Sequence, residues 1–324
     1  MKLIIPMAGK GTRLRPHTIT TPKPLIELAG KTMLEHALDR VSNTHYKEVI
    51  LIVDEPKEEL CDELQKKYKV PFKYEVQTQK KGAGQAIYLA KPHLKQDSCL
   101  ILFADTLLEA NIEDLSKGNP DGIIWTKEVE DPRKYGVVFE RDNKITKLVE
   151  KPEEPESNKA IVGMYYFKNS DEIFDKIEYL LDNNITSKNE FQITDAIQLM
   201  VDEGKHMTTR TVTVWKDCGN LESLLEANQY LLKKGQTKST PKTSVIIQPV
   251  HISEQVHIQN CIIGPNVSIG KDTEITGSII QNTIIGRETK ITRSPIKDSI
   301  IGDNVSIIQK EKEYNMGDYT QIKD

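Results

Sequence analysis

A short unit, I-G-x-x-[VT]-x-I, occurs three times near the C-terminus, at Ile263 to Ile269, Ile285 to Ile291 and Ile301 to Ile307, and constrains this chain more than any other feature. An aliphatic residue at every sixth position, glycine beside it and small or β-branched residues between form a unit that buries little alone and must stack. Over 245–308 this predicts a parallel β-helix with isoleucines filling its interior; a few ordinary β-hairpins are the plainer alternative. Before it, KKGQTKSTPKTS (233–244) is polar and reads as a linker. After it, QKEKEYNMGDYTQIKD (309–324) reads as a polar tail.

Upstream, over 1–236, short apolar runs alternate with helical spacing. KLIIPMA (2–8), EVILIV (48–53), FKYEVQ (72–77) and SCLILFA (98–104) read as strands. Between them, Met33, Leu34, Ala37, Leu38 and Val41 recur at helical spacing, and Lys57 to Lys67 and 82–91 read as further helices. A βαβαβαβ opening predicts an α/β fold with a Rossmann-like, mixed and mostly parallel sheet flanked by helices. After about residue 120 come shorter strands, GIIWTK, GVVFE, KITKLVE and AIVGMYYF, then helices near 171–182, 192–203 and 220–233. These are expected to extend the same sheet, not to found another domain.

Composition removes several classes of function. Forty-four Lys and Arg stand against 48 Asp and Glu, a net charge of -4, so no general field draws the chain to nucleic acid or an anionic membrane. Any phosphate site has to be local. The four cysteines, Cys61, Cys99, Cys218 and Cys261, form no C-x-x-C pair, which fits neither zinc nor a disulfide framework and suits a reducing cytosol. The apolar run at the N-terminus is shorter than a signal-peptide core, and nothing approaches the ~18 apolar residues of a membrane span. A soluble, cytoplasmic protein is the expectation.

The chemistry concentrates in LIIPMAGKGTRLRPHTITTPKPL, directly after the first strand. Glycines in that position let backbone N–H groups approach an anion. Two familiar phosphate loops fail to match: Gly11 follows Lys10 where a Walker A loop has Ser or Thr, and Leu14 stands where a dinucleotide fingerprint has its third glycine. Instead Arg13 and Arg15 enter the loop and Pro22-Lys23-Pro24 presents another cation. Arg13 suits a bidentate grip on triphosphate oxygens, and Lys23 a point charge at the reacting phosphate.

GKGTRLRPHTITTPKP resembles the signature of the sugar-phosphate nucleotidylyltransferases, which include glucose-1-phosphate thymidylyl- and uridylyltransferases and mannose-1-phosphate guanylyltransferases. The resemblance runs in order across residues 1 to about 230, and many long members carry a C-terminal left-handed β-helix. It implies that Ala8, Gly9, Gly11, Thr12 and Arg13 bind nucleotide, that Gln77 and Gly82 of VQTQKKGAGQA read the base, and that Lys23 contacts phosphate. Asp105 ends a buried strand, where ligands of open α/β sheets bind, and Asp217 of VWKDCGN is the natural second oxygen ligand for Mg²⁺. On the sugar side stand Gly136, Glu150, Lys151, Val162 and Gly163. Glu150 and Lys151 suit sugar hydroxyls and sugar phosphate, provided the strand ends or bends there, since neighbours on a strand face opposite ways; Pro152 fits such a bend.

The implied reaction joins a nucleoside triphosphate to a sugar 1-phosphate with release of pyrophosphate, dTTP or UTP with glucose 1-phosphate being the pair expected. The implied catalytic cations are Arg13, Lys23 and Lys151, and a homo-oligomer is expected, with neither nucleic acid nor membrane as partner. Alternatives stay open: a guanylyl- or cytidylyltransferase on another sugar phosphate or on phosphocholine, a bifunctional chain whose β-helix transfers acyl groups with His251 or His257 as base, or a non-catalytic regulatory relative.

Overall fold

The computed structural model describes residues 1–9, 11–154, 156–235, 241 and 243–309. Of the expected polar tail only Gln309 falls within that set, and much of the expected linker lies outside it. By its contacts the chain forms two compact units, Met1–Ile26 with Lys31–Leu224, and Glu27–Gly30 with Leu225–Asp324.

The first unit is built on a nine-stranded sheet. Its centre is four parallel strands in the order β4 (Cys99–Leu102), β1 (Lys2–Pro6), β2 (Val49–Val53), β3 (Phe72–Val76). Side chains alternate across a strand, so each strand feeds both faces. Ile4, Ile50 and Ile101 enter one core, with Ile87, Ile173 and Ile197 from helices on that side. Leu3, Leu51 and Leu100 enter the other, with Leu34, Leu38 and Leu64. All three central isoleucines are fully buried, each stabilising the fold by roughly 1.5 to 3 kcal/mol on leaving water. This two-sided demand explains why β1, β2 and β4 read as apolar runs, whereas β3 at the end of the order keeps Lys73 and Glu75.

The later strands do extend the same sheet. β9 (Lys159–Phe167) pairs antiparallel with β4 on one side and with β6 (Gly122–Glu128) on the other; β7 (Gly136–Arg141) and β8 (Lys144–Glu150) follow as an antiparallel pair. Three strands here escaped the sequence reading: β10 (Met207–Thr211), parallel to β6, and β5 (Thr106–Glu109) with β11 (Val214–Asp217), which form a separate two-stranded sheet. The helices are α1 (Met33–Val41), α2 (Glu58–Tyr68), α3 (Ala83–Tyr88), α4 (Ser170–Asp182), α5 (Ile193–Asp202) and α6 (Leu221–Leu232). α1 starts where it does because of a capping box: Thr32 Oγ1 accepts from Glu35 N–H at 3.1 Å, and Glu35 Oε2 from Thr32 N–H at 2.7 Å. Among the described residues no helix is long and apolar enough to cross a membrane.

The second unit is a parallel β-helix, as the repeat predicts. Strands stack in register, Ile258 on Ile275 on Ile291 on Ile307, and Ile263 on Ile280 on Ile296. Ile263, Ile275, Ile280 and Ile291 are wholly buried. Ile285 stacks on Ile269, the end of the first repeat unit, and not on its start, Ile263. The first copy of the motif therefore lies one face earlier in the coil than the other two.

Candidate active site

The carboxyl ends of β1 to β4 converge on one side of the sheet, where an open α/β sheet leaves a crevice. Beyond β1 the chain is held by β2, as Met7 and Ala8 N–H donate to Ile52 O at 2.8 and 3.0 Å. It then loops through Gly11, whose carbonyl accepts from Leu14 N–H at 3.0 Å and Thr18 Oγ1 at 2.7 Å. A cleft of about 820 Å³ opens here. Ala8, Gly9, Gly11, Thr12, Arg13 and Lys23 line one part of it.

Gln77 follows β3 directly and lines the cleft, yet is 4% exposed. Its amide N–H₂ donates to Gln85 Oε1 at 2.6 Å and to Gly82 O at 3.5 Å. That leaves its carbonyl oxygen without a donor among the described residues. Gly82, also in the cleft wall, has φ +112°, and a Cβ there would come within 2.7 Å of the Phe191 carbonyl. Only glycine fits that turn into α3.

Two carboxylates line the cleft from neighbouring stretches of backbone. Asp105 follows β4, and the antiparallel register of β5 with β11 sets Asp217 opposite Thr106, beside Asp105. Both line the cleft, and Lys23 Nζ lies 3.2 Å from Asp105 Oδ2. The donor set is hard oxygen. The neighbouring Cys218 thiol is wholly buried, and burial pushes it up to about 12. Among the described residues no three His, Cys, Asp or Glu cluster as a closed metal cage. Two carboxylates facing an open cleft fit magnesium, which takes its remaining oxygens from substrate and water.

Gly136, Glu150, Val162 and Gly163 also line the cleft. β8 ends at Glu150, and Lys151 turns into the left-handed region with φ +45°, so the chain does bend there. Lys151 is not among the cleft-lining residues; its Nζ reaches back to 3.5 Å from Glu150 Oε1. Thr194 Oγ1 donates to Glu150 Oε2 at 3.1 Å. Burial raises the Glu150 carboxyl above its ordinary value, and nearby Asp195 adds to this; Lys151 and the Thr194 hydrogen bond oppose it without prevailing.

The cleft also holds groups the sequence reading missed. Tyr135 and Trp215 meet edge-to-face with centroids 4.7 Å apart, and both line it. Burial first, then Asp217, raises the Tyr135 phenol while Arg13 pulls it down, so this ring lies in the field of both charges. Trp215 had a readable signal: two residues before Asp217 on a strand, it shares that residue's face. Thr194, in the first turn of α5, had none.

Residues 2–234 match the family model of nucleotidyl transferases. The chain is 35% identical over 258 residues to the bifunctional protein GlmU of Methanocaldococcus jannaschii, covering 79% of this chain and 60% of that protein. It is 32% identical over 240 residues to the UTP–glucose-1-phosphate uridylyltransferase AglF of Haloferax volcanii, covering 71% of this chain and 96% of that one. A UDP-glucose pyrophosphorylase solved in complex with UDP-glucose superposes with a TM-score of 0.62 at 26% identity, over 72% of this chain and 99% of that one. This chain thus spans less than two thirds of the length of the GlmU relative. With the family match running from the first strand through α6, the chain belongs to the nucleotidyl transferase family.

Proposed function

We propose that the chain transfers a nucleotidyl group from a nucleoside triphosphate to a sugar 1-phosphate, releasing pyrophosphate. One observation carries this reading: Lys23, Asp105 and Asp217 line a single cleft together with the glycine loop and Glu150, and Lys23 pairs with Asp105. A phosphate oxygen of the sugar attacks the α-phosphorus in line, the bond to the β-phosphate breaks, and pyrophosphate leaves with that electron pair. The nucleophile is already an anion, so no general base is required. What remains is to hold two polyanions together and to stabilise charge on the transferring group. Arg13 and Lys23 serve the nucleotide phosphates, and Lys151 serves the sugar phosphate by moving from Glu150. Asp105 and Asp217 would hold Mg²⁺, which supplies Lewis-acid neutralisation of the phosphates.

Gln77, with its acceptor oxygen unused, suits the imide N–H of uracil or thymine. Together with the names of AglF and the UDP-glucose pyrophosphorylase, this supports a pyrimidine nucleotide and glucose 1-phosphate. The two bases differ by one methyl group, worth about 1 to 3 kcal/mol in a pocket. A panel of triphosphates against sugar 1-phosphates, read by pyrophosphate release, tests the reading. Release with UTP or dTTP and glucose 1-phosphate is expected, and no release with any pair sinks it. Acyl transfer by the β-helix finds less support: His251 packs against the turn glycine Gly30, and His257 faces outward in register with Glu274.

Glu150 gives the reaction a pH signature. Its raised pKa means the folded protein favours the neutral acid, so its contribution to stability is greatest at low pH and is lost as pH rises through the raised value. The carboxylate is nevertheless the form that accepts from two sugar hydroxyls. We expect KM for the sugar phosphate to rise as pH falls through that value. Glu150→Gln should abolish this inflection, leave the one due to the substrate's own phosphate, and raise Tm at pH 8. A variant profile matching the parent's would remove Glu150 from sugar recognition.

We further infer a homo-oligomer formed through the β-helix. Val245, Ile262 and Ile279 stack in register on its outside, 57%, 40% and 56% exposed, a stripe that isolated domains rarely leave bare. Ile262→Asp with Ile279→Asp should reduce the mass seen by light scattering, whereas a parent that is already monomeric contradicts the inference. The four cysteines are buried and free, which supports a reducing cytosol as the compartment.

A further inference from the structure

Lys23 is followed by a hairpin whose strands are Glu27–Leu28 and Lys31–Thr32. Its two turn residues are both left-handed, Ala29 at φ +48° and Gly30 at +82°. Glycine tolerates this; alanine, with a Cβ, does not adopt it without strain. By its contacts Glu27–Gly30 belongs to the same compact unit as the β-helix. Within that unit Ala29 N–H donates to Asn228 Oδ1 at 2.9 Å and to Ser268 Oγ at 3.2 Å, and Ser268 Oγ donates to Asn228 Oδ1 at 2.6 Å. Asn228 is wholly buried and Ser268 is 4% exposed. Burying that amide leaves its Nδ2 without a partner among the described residues, a cost incurred at a position whose Oδ1 accepts from Ala29. Arg287 grips Glu27 through Nε and a second nitrogen. A Cβ on Gly30 would sit 2.1 Å from His251 Nε2, so the imidazole closes the other side of the turn.

We propose that Asn228 and Ser268 are positioning residues for Lys23, acting through the strained Ala29–Gly30 turn. The link is the chain itself. Leu25 N–H donates to Pro22 O at 2.8 Å and Ile26 N–H to Lys23 O at 3.1 Å, so Lys23 sits in a closed turn. Ile26 O then accepts from Met33 N–H at 3.1 Å, at the start of α1. Only residues 24–28 separate Lys23 from Ala29, and the hydrogen bonds of Leu25 and Ile26 lie among them, so on this proposal a turn free to relax its left-handed alanine shifts the lysine backbone. The inference rests on Lys23 acting at the phosphates, as proposed above.

The chain carrying Asn228→Ala tests this in two ways. Amide exchange at Leu25 and Ile26 is expected to quicken by about tenfold, and unchanged exchange there overturns the proposal whether or not any substrate pair is turned over. In turnover, kcat should fall roughly tenfold with both KM values within about twofold. The double variant Lys23→Ala with Asn228→Ala should then be no slower than Lys23→Ala alone. Losses that multiply, or a lower Tm with kcat intact, mark a merely structural role and refute positioning. Should Asn228→Ala not fold, Ser268→Ala keeps the Asn228 bond and is read the same way. A parent that turns over no substrate pair defeats the proposed reaction alone, since the exchange experiment still decides the positioning.

Discussion

Asp105→Asn is expected to abolish pyrophosphate release, with a loss on the order of 10³-fold or more in kcat. The substitution changes charge and almost nothing else. Asp105 sits at a strand end with its side chain 47% exposed, so it is not a packing group, and the amide is nearly isosteric. What it removes is one of two anionic oxygen ligands, leaving Asp217 alone to hold a cation that dehydrates reluctantly. It also removes the partner of Lys23. Circular dichroism and Tm close to the parent, with activity lost at saturating Mg²⁺, is the predicted pair of results. Near-parental turnover would defeat the metal assignment of Asp105.

How far the sequence reaches depends on how local each cause is. Three of the central strands were legible because both their faces are buried, which forces apolar runs such as Val49–Val53. The repeat was legible because every coil states it again. The bend at Glu150 was readable from Pro152 as a condition, and the left-handed Lys151 is how the chain meets it. That Lys151 would reach Glu150 and not line the cleft was beyond the motif, because side-chain direction there follows from a backbone angle the motif does not state. The pairing of Thr106–Glu109 with Val214–Asp217 joins segments about a hundred residues apart, each too short to show a period. Thr194 at Glu150 is hidden for the same reason. The grouping of Glu27–Gly30 with the β-helix was hidden further still: the only local sign was an alanine before a turn glycine, and its partners lie some two hundred residues on.

Lys23→Ala should lower kcat by roughly 10²- to 10³-fold while changing KM for the nucleotide by less than about threefold. The asymmetry follows from where the ammonium is. At 14% exposure it is largely withdrawn from water, and in the free protein it is held by Asp105 at 3.2 Å. A cation already paired gains little when a ground-state triphosphate arrives, since one anionic partner is exchanged for another. It gains more when charge builds on the transferring group, so its effect falls on kcat. Lys23→Arg should not restore the rate, because a planar fork cannot replace a point charge beside a carboxylate in the same space. There is a second consequence. With Lys23 gone, Asp105 loses its counter-charge, and its uncompensated carboxylate should favour a divalent cation more strongly. The Mg²⁺ concentration for half-maximal residual activity is therefore expected to fall even as kcat collapses. If instead kcat is preserved and only KM rises, Lys23 is a binding residue; if the Mg²⁺ requirement rises, the lysine supports the metal site and does not compete with it.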